Sequence, residues 1–453
     1  MIRSVNPATG QVVQTFEEWS ADTTRETLDG VAAAWEPWSE TALSERAAIL
    51  RKAARILRDN RIELADLMAM EMGKPVTQGR LEIDKSALVC EYYAENAERH
   101  LAPEPVEGVG SKAFVSYEPL GTVLAVMPWN FPFWQVFRIA APTLMAGNAM
   151  VLKHASNVPM CAQAIEKVLD QAGLPENVFR TLMIGAGQVE NVLAHDSVAG
   201  VCLTGSDAAG RSVAAVAGRN LKRSVMELGG SDPFVVLADA DLDKAVQVAV
   251  CSRCKNTGQA CIAAKRFIVM EDVYDEFVAR MKDGMTALKM GDPMDPETYL
   301  GPMATEVLRA ELQHQVDRCM EAGGILVLGG SVPDGPGAFY PPTIITNVSA
   351  DAAVVQEELF GPVALVFKVG SEQEAVELAN ATPYGLGGSV WAGDGNKGLE
   401  LAARIRTGSV FVNALVSSTP ELPFGGIKAS GYGRELSAWG IREFVNVKTT
   451  VVG

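Results

Sequence analysis

The sequence predicts an α/β fold in which helices cross over parallel sheets. Three observations carry that expectation. The chain has 453 residues, more than one ordinary core accommodates, so two or more domains are expected. From about residue 149 short apolar runs alternate with amphipathic ones, the pattern of strand, helix and right-handed crossover. Glycine-bearing turns follow two of those runs and precede helices, at the strand ends where such sheets bind ligands.

Taken in order, the first hundred residues read as helical. Ser44 is placed to cap a helix whose Ile49, Ala53, Ile56 and Leu57 make one apolar face. A second helix should stop near Gly73, with Pro75 just beyond. Ala113 to Tyr117 and Thr122 to Met127 read as strands. Ala149 to Leu152, Thr181 to Ile184, Val201 to Leu203 and Arg223 to Met226 follow as strands. Met160 to Ala172, Gln188 to Ala194 and Ala208 to Val216 are the helices between them. A second series begins after Gly230. Its strands are Phe234 to Leu237, Phe267 to Met270, Ile325 to Leu328 and Val363 to Val369. Its helices are Asp241 to Cys254, Val273 to Leu288 and Ala304 to Glu321. The Pro- and Gly-rich run 331–337 is a break. The β-rich tail Val445 to Val452 suits an edge strand or one donated to another subunit.

Bulk properties exclude several classes. The formal net charge of -16 argues against nucleic acid or an anionic membrane as partner. No apolar run approaches the roughly 20 residues of a membrane span, and the first residues lack the apolar core of a secretory signal. The expectation is a cytoplasmic protein. The seven cysteines are odd in number and scattered, which fits a reducing compartment rather than a disulfide framework. Cys251 and Cys254 have no second pair or nearby histidine, so no metal site is expected. A turn apart on a helix, they suit packing or a redox partnership with Cys261.

Three places carry chemistry. Cys261 follows Asn256-Thr257-Gly258-Gln259-Ala260, a thiol among small residues that a substrate can approach closely. Glu227 ends an apolar strand before Leu228-Gly229-Gly230, where a carboxylate is costly to bury unless paired or functional. Asn130 lies between prolines in Pro128-Trp129-Asn130-Phe131-Pro132, and suits a turn or an oxyanion donor equally. Together they are the nucleophile, base and oxyanion donor of acyl chemistry on a thiol. Gly185-Ala186-Gly187 and Gly205-Ser206 suit either plain turns or backbone cradles for a pyrophosphate. Lys153-His154-Ala155-Ser156 adds a cation and a hydroxyl at a strand end.

These motifs, with Glu358-Leu359-Phe360-Gly361-Pro362 and Pro423-Phe424-Gly425-Gly426, occur in the order and approximate spacing of the NAD(P)-dependent aldehyde dehydrogenase superfamily, which the chain resembles over essentially its whole length. The resemblance implies a Rossmann-type cofactor-binding domain (1–100 and 121–229), an α/β catalytic domain (230–433) and a small β oligomerisation element (101–120 and 434–453), assembled as a homodimer or homotetramer. It implies that Cys261 attacks an aldehyde, that Asn130 and a backbone N–H at Cys261 hold the oxyanion, that hydride passes to the nicotinamide, and that Glu227 activates water to hydrolyse the thioester. It places Trp129, Lys153, Ser156, Gly185, Gly205, Ser206, Leu228, Glu358 and Phe360 around the cofactor. Many NAD-preferring members have glutamate where this chain has Ser156. Its absence removes repulsion of a 2′-phosphate, so NADP is expected, with NAD used less well.

Arg138, Ser417 and Ser418 match positions that hold the substrate carboxylate in the succinate-semialdehyde dehydrogenases. That substrate is the first expectation. Lys255 stands where some of those enzymes carry a second arginine. The alternatives are a broad aliphatic or aromatic aldehyde dehydrogenase with an apolar tunnel of Phe133, Trp134 and Phe137, and a thioester or ester hydrolase without redox chemistry.

Overall fold

Two large sheets, of six and seven strands and both mostly parallel, organise the chain, and a three-stranded sheet and a two-stranded hairpin complete it. The computed structural model describes residues 1–453. In the first sheet Thr122–Met127 is central. The chain moves outward through Ala149–His154 to Phe179–Thr181, then returns to the other side of Thr122–Met127 with Val198–Thr204 and Arg223–Glu227. This reversal makes a topological switch point between Thr122–Met127 and Val198–Thr204, whose carboxyl ends lead into Pro128-Trp129-Asn130 and Gly205-Ser206. A crevice at such a point is where doubly wound sheets bind ligands.

The strands form where the sequence runs are apolar throughout, because both faces are covered. Val123, Leu124 and Ala125 are wholly buried, as are Met150, Val151 and Leu152. The N-terminal helices Ala21–Ser39, Leu43–Asp59, Arg61–Met72 and Val76–Leu101 share one continuous core with this sheet. Gly73 ends the third of them in a left-handed cap (φ 77°), as its sequence position implies.

The second sheet runs Ile325–Leu328, Thr343–Thr346, Val363–Val369, Ala264–Met270, Asp232–Val236, Ser389–Trp391, Phe411–Val412, and only its first pair is antiparallel. Separate apolar clusters cover its two faces. One is built on Phe234, Phe267 and Phe277, and the other side carries Val316, Leu359 and Leu365 together with Val235, Ile268 and Val390. In the third sheet Lys112–Pro119 pairs antiparallel with both Val445–Val452 and Glu104–Pro105. The tail is therefore an edge strand, and it leaves Val447, Val451 and Val452 exposed.

Four details differ from the sequence reading. Ala42, not Ser44, precedes the helix Leu43–Asp59, and no side chain caps it; Ser44 sits inside the first turn. The strand expected at Thr181 to Ile184 is Phe179–Thr181. Beyond it Ile184 N–H turns back to Leu182 O and Met183 O accepts from Trp19, so the run bends toward the N-terminal segment. The first residues form a hairpin, Ile2–Val5 with Val12–Phe16, whose second strand is exposed and so lacks the alternation that marks a half-buried strand. Gly431–Tyr432, within the stretch read as catalytic, pairs antiparallel with Arg223–Glu227 and so joins the first sheet.

Candidate active site

Cys261 ends a loop whose backbone is unusual. Asn256, Thr257 and Gly258 have consecutive φ values of 54°, 55° and 71°, a left-handed run that non-glycine residues adopt only under constraint. The constraints are buried side chains. Arg253, with no exposure, donates to Gly258 O (2.5 Å) and Ala264 O (2.9 Å), tying the two sides of the loop together. Asn256 Nδ2 donates to Asn130 O at 2.8 Å and its backbone N–H to Gln78 Oε1 at 2.7 Å. Thr257 Oγ1 donates to Gly301 O, and Gln259 Oε1 accepts from Ala304 N–H. Lys265 donates to the carbonyls of Ala260 and Cys261 and pairs with Glu358 at 3.0 Å.

The recurrent glycines are contact points between these segments. A Cβ on Gly258 would stand 2.3 Å from Gly361 O, one on Gly229 2.6 Å from Glu358 Oε2, and one on Gly425 2.6 Å from Glu227 Oε1. The five sequence motifs thus interlock around one place.

Asn130, Glu227 and Cys261 are all brought there. Asn130 is 3% exposed; its Nδ2 donates to Gln259 O at 3.0 Å, two residues from the thiol, and one N–H remains to serve an oxyanion. Burial pushes the Cys261 thiol up to about 12, against the opposing pull of Lys265 and Arg138. Glu227, 2% exposed, has no hydrogen-bond partner on either oxygen. Burial first, and then the neighbouring Glu435 carboxylate, raise its pKa well above the usual range. Burial thus works against charge on both nucleophile and base in the free protein.

Arg138 stands differently from the expectation that it is free to clamp a substrate carboxylate. Its Nη2 lies 2.6 Å from Glu435 Oε2 and donates to Thr204 Oγ1 at 3.0 Å, with the guanidinium over the Phe424 ring. It lines the cavity but is already paired, because Glu435, 1% exposed, would otherwise be an unpaired buried charge.

The crevice at the switch point holds the remaining expected residues. Trp129 and Phe360 meet edge to face, ring centroids 5.8 Å apart. Ser206 caps the helix Asp207–Arg219 by accepting from Ala209 N–H, and Gly205 N–H is bonded to Glu227 O. Leu228 packs against that helix where Gly210 leaves room. Gly185 is not a free phosphate donor, since its N–H goes to Glu18 Oε1 at 2.8 Å. Glu358, expected at a ribose, is held by Lys265. Lys153 is 8% exposed and has no carboxylate within ion-pairing distance, and Ser156 beyond it is exposed. His154 joins this run to the asparagine motif: Nε2 lies 3.0 Å from Pro132 O, Nδ1 accepts from Ala155 N–H, and burial lowers its pKa to about 4, so it is neutral.

Beside Cys261 a cavity is walled by Phe131, Trp134, Phe424, Ile262, Ser417 and Ser418. Phe133 and Phe137 are wholly buried in the core and do not line it, so the aromatic tunnel expected from them does not form; only Trp134 of that trio faces the cavity. Lys85, Lys255 and Gln78 also line it. Sequence reasoning passed over Lys85, Lys265, Arg253 and Glu435, because each is an ordinary charge until the fold buries it: Lys85 and Glu435 against residues far away in the chain, Arg253 and Lys265 against carbonyls of the nearby nucleophile loop.

With the geometry in place, the comparisons with known proteins are direct. The aldehyde dehydrogenase family profile matches residues 1–450, and the chain belongs to that family. It is 49% identical to the probable succinate-semialdehyde dehydrogenase [NADP(+)] of Synechocystis and to the succinate-semialdehyde dehydrogenase [NADP(+)] of Mycobacterium leprae, with 99% of each chain covered in both cases. Among solved structures it is similar to the succinic semialdehyde dehydrogenase of Streptococcus pyogenes in complex with NADP+, at 41% identity and a TM-score of 0.98 over the whole of both chains.

A thiol with a pKa of about 12 is almost wholly protonated at neutral pH. Alkylation of Cys261 in the free protein by iodoacetamide should therefore accelerate about tenfold per pH unit from pH 7 to 9.5. A plateau at an ordinary thiol value, followed as loss of activity, would contradict that burial.

Proposed function

We propose that this protein oxidises succinate semialdehyde to succinate with NADP as hydride acceptor. The observation that carries the reading is the sign of the cavity beside Cys261. Lys85, Lys255 and Arg138 line it, and the one carboxylate in its wall, Glu82, is engaged by Lys74 and by the N–H groups of Phe133 and Trp134. In a chain of net charge -16 a positive cavity selects an aldehyde bearing an anion.

In this mechanism the Cys261 sulfur adds to the carbonyl carbon, and the free N–H of Asn130 with the Cys261 backbone N–H stabilise the developing oxyanion. When bound, the nicotinamide supplies an acceptor for hydride, which lets an aldehyde with no other leaving group become a thioester. Glu227 then takes a proton from the water that attacks the thioester. Burial disfavours the ionised form of both residues, and Arg138 is the cation whose charge reaches both and favours it. Ester hydrolysis without redox would use the same groups.

The crevice residues fit the cofactor. Lys153, lacking a carboxylate partner, and the exposed Ser156 hydroxyl would hold a 2′-phosphate, with Leu228, Trp129 and Phe360 along the groove. We assign cofactor binding to 1–100 and 121–229, catalysis to 230–433, and subunit association to 101–120 and 434–453, where Trp439, Val447, Val451 and Val452 are exposed. No helix is long and apolar enough to cross a membrane, and seven free cysteines suit the cytoplasm.

An aldehyde panel with both cofactors, followed by nicotinamide absorbance, tests the reading. Succinate semialdehyde should exceed butyraldehyde in kcat/KM by about 10- to 100-fold, the worth of a charged hydrogen bond. Equal efficiency would refute the carboxylate preference, and turnover of an activated ester alone would favour the hydrolase. NADP should be preferred over NAD, and Ser156→Glu should shift the preference toward NAD by a similar factor. Sedimentation should show at least a dimer, and a stable active monomer would overturn the assignment of the third sheet.

A further inference from the structure

Of the two cations in the cavity wall that have no opposite charge within ion-pairing distance, Lys85 and Lys255, Lys85 is the less exposed. It lies on the helix Val76–Leu101, half-buried, with Nζ 2.9 Å from Ser418 Oγ and 4.0 Å from the centroid of the Trp134 ring. It has no carboxylate within 4 Å. Glu82, one turn earlier, is taken by Lys74 and the start of the helix Trp134–Met145. An ammonium has three donors, and only one of these is used by protein. Arg138 has its charge balanced by Glu435 and its Nη2 shared with Thr204, while its Nε has no hydrogen-bond partner.

Resting on the succinate-semialdehyde reading above, we infer that Lys85, seated on Ser418 and Trp134, is a specificity-determining cation that receives the substrate's distal carboxylate, in addition to Arg138. The Trp134 face and the Ser418 hydroxyl fix the ammonium in the wall of the cavity that Cys261 also lines, so one aldehyde can meet both. Ser417 and Ser418, expected to help hold that carboxylate, then divide: Ser418 positions Lys85 and Ser417 faces the cavity. Arg138 lines the same cavity while compensating Glu435.

Charge on Lys85 is sensitive to its surroundings. Burial, then Arg138 from one neighbouring helix and Lys255 from the nucleophile loop, lower its pKa to about 7, opposed by Glu82 on its own helix and by Cys261. A lowered lysine pKa means that the charged form, and with it recognition of an anion, is lost as pH rises through about 7.

The test is the ratio of kcat/KM for succinate semialdehyde to that for butyraldehyde, in which ionisation of Cys261 and Glu227 cancels. In the unaltered protein the ratio should fall as pH rises from 6 to 9. Lys85→Met should lower it about 10- to 100-fold at pH 6. Lys85→Arg should restore it and remove its decline with pH. Succinate binding, measured by calorimetry, should weaken in Lys85→Met by the same factor. A ratio near one in the unaltered protein overturns both the functional reading and this inference. A large ratio that Lys85→Met leaves unchanged, or an equal loss for both aldehydes, overturns the inference alone. If Lys85→Met does not fold, a pH-independent ratio in the unaltered protein overturns it.

Discussion

The left-handed run at Asn256, Thr257 and Gly258 is the constraint on which the site depends. Three successive residues in that region cost of order 1–3 kcal/mol each for the non-glycine pair, and nothing local recovers it. The recovery is distant. Gln78 belongs to an N-terminal helix, Asn130 to the turn after the central strand of the first sheet, Gly301 and Ala304 to a loop of the second half, and each bonds this segment. The thiol is placed by the whole molecule, so the nucleophile is set only once both sheets have formed.

That dependence explains why the motifs are glycine-rich yet far apart in sequence. Gly258 must tolerate a positive φ and let Gly361 approach within a distance no side chain allows. Gly229 does the same for Glu358, and Gly425 for Glu227. Each glycine marks a place where one motif presses on another. They read as a family resemblance in sequence and as a packed joint in structure.

The first sheet was legible because its strands are buried on both faces and appear as unbroken apolar runs at 122–127, 149–152 and 201–203. Thr343–Thr346 and Ser389–Trp391 were not, being too short to carry a pattern among glycines and prolines. The chemistry-bearing triad was legible because a thiol, a carboxylate ending an apolar strand and an amide between prolines have few structural uses. Lys85 was not, since a lysine on a long helix is normally a solvated face. Ser418, its partner, is 333 positions away. Arg138 was legible as a cation of the cavity, but its buried partner Glu435 was not, because it lies near the other end of the chain.

The electrostatics of the site follow from depth. Burial pushes both Cys261 and Glu227 toward their neutral forms, because an unpaired buried charge costs several kcal/mol. The charges the site does carry are cations. Arg138 is matched to Glu435 and Lys265 to Glu358, whereas Lys153 and Lys85 have no carboxylate partner. An otherwise acidic protein thus presents unmatched positive groups in both places, Lys153 in the crevice and Lys85 with Lys255 in the cavity. Filling both with anionic ligands satisfies them and excludes water from the space between, which strengthens the influence of Arg138 on the ionisation of nucleophile and base. Recognition and activation are then coupled through the same field: a neutral aldehyde that enters the cavity leaves Lys85 unmatched and gains only contact with the apolar wall.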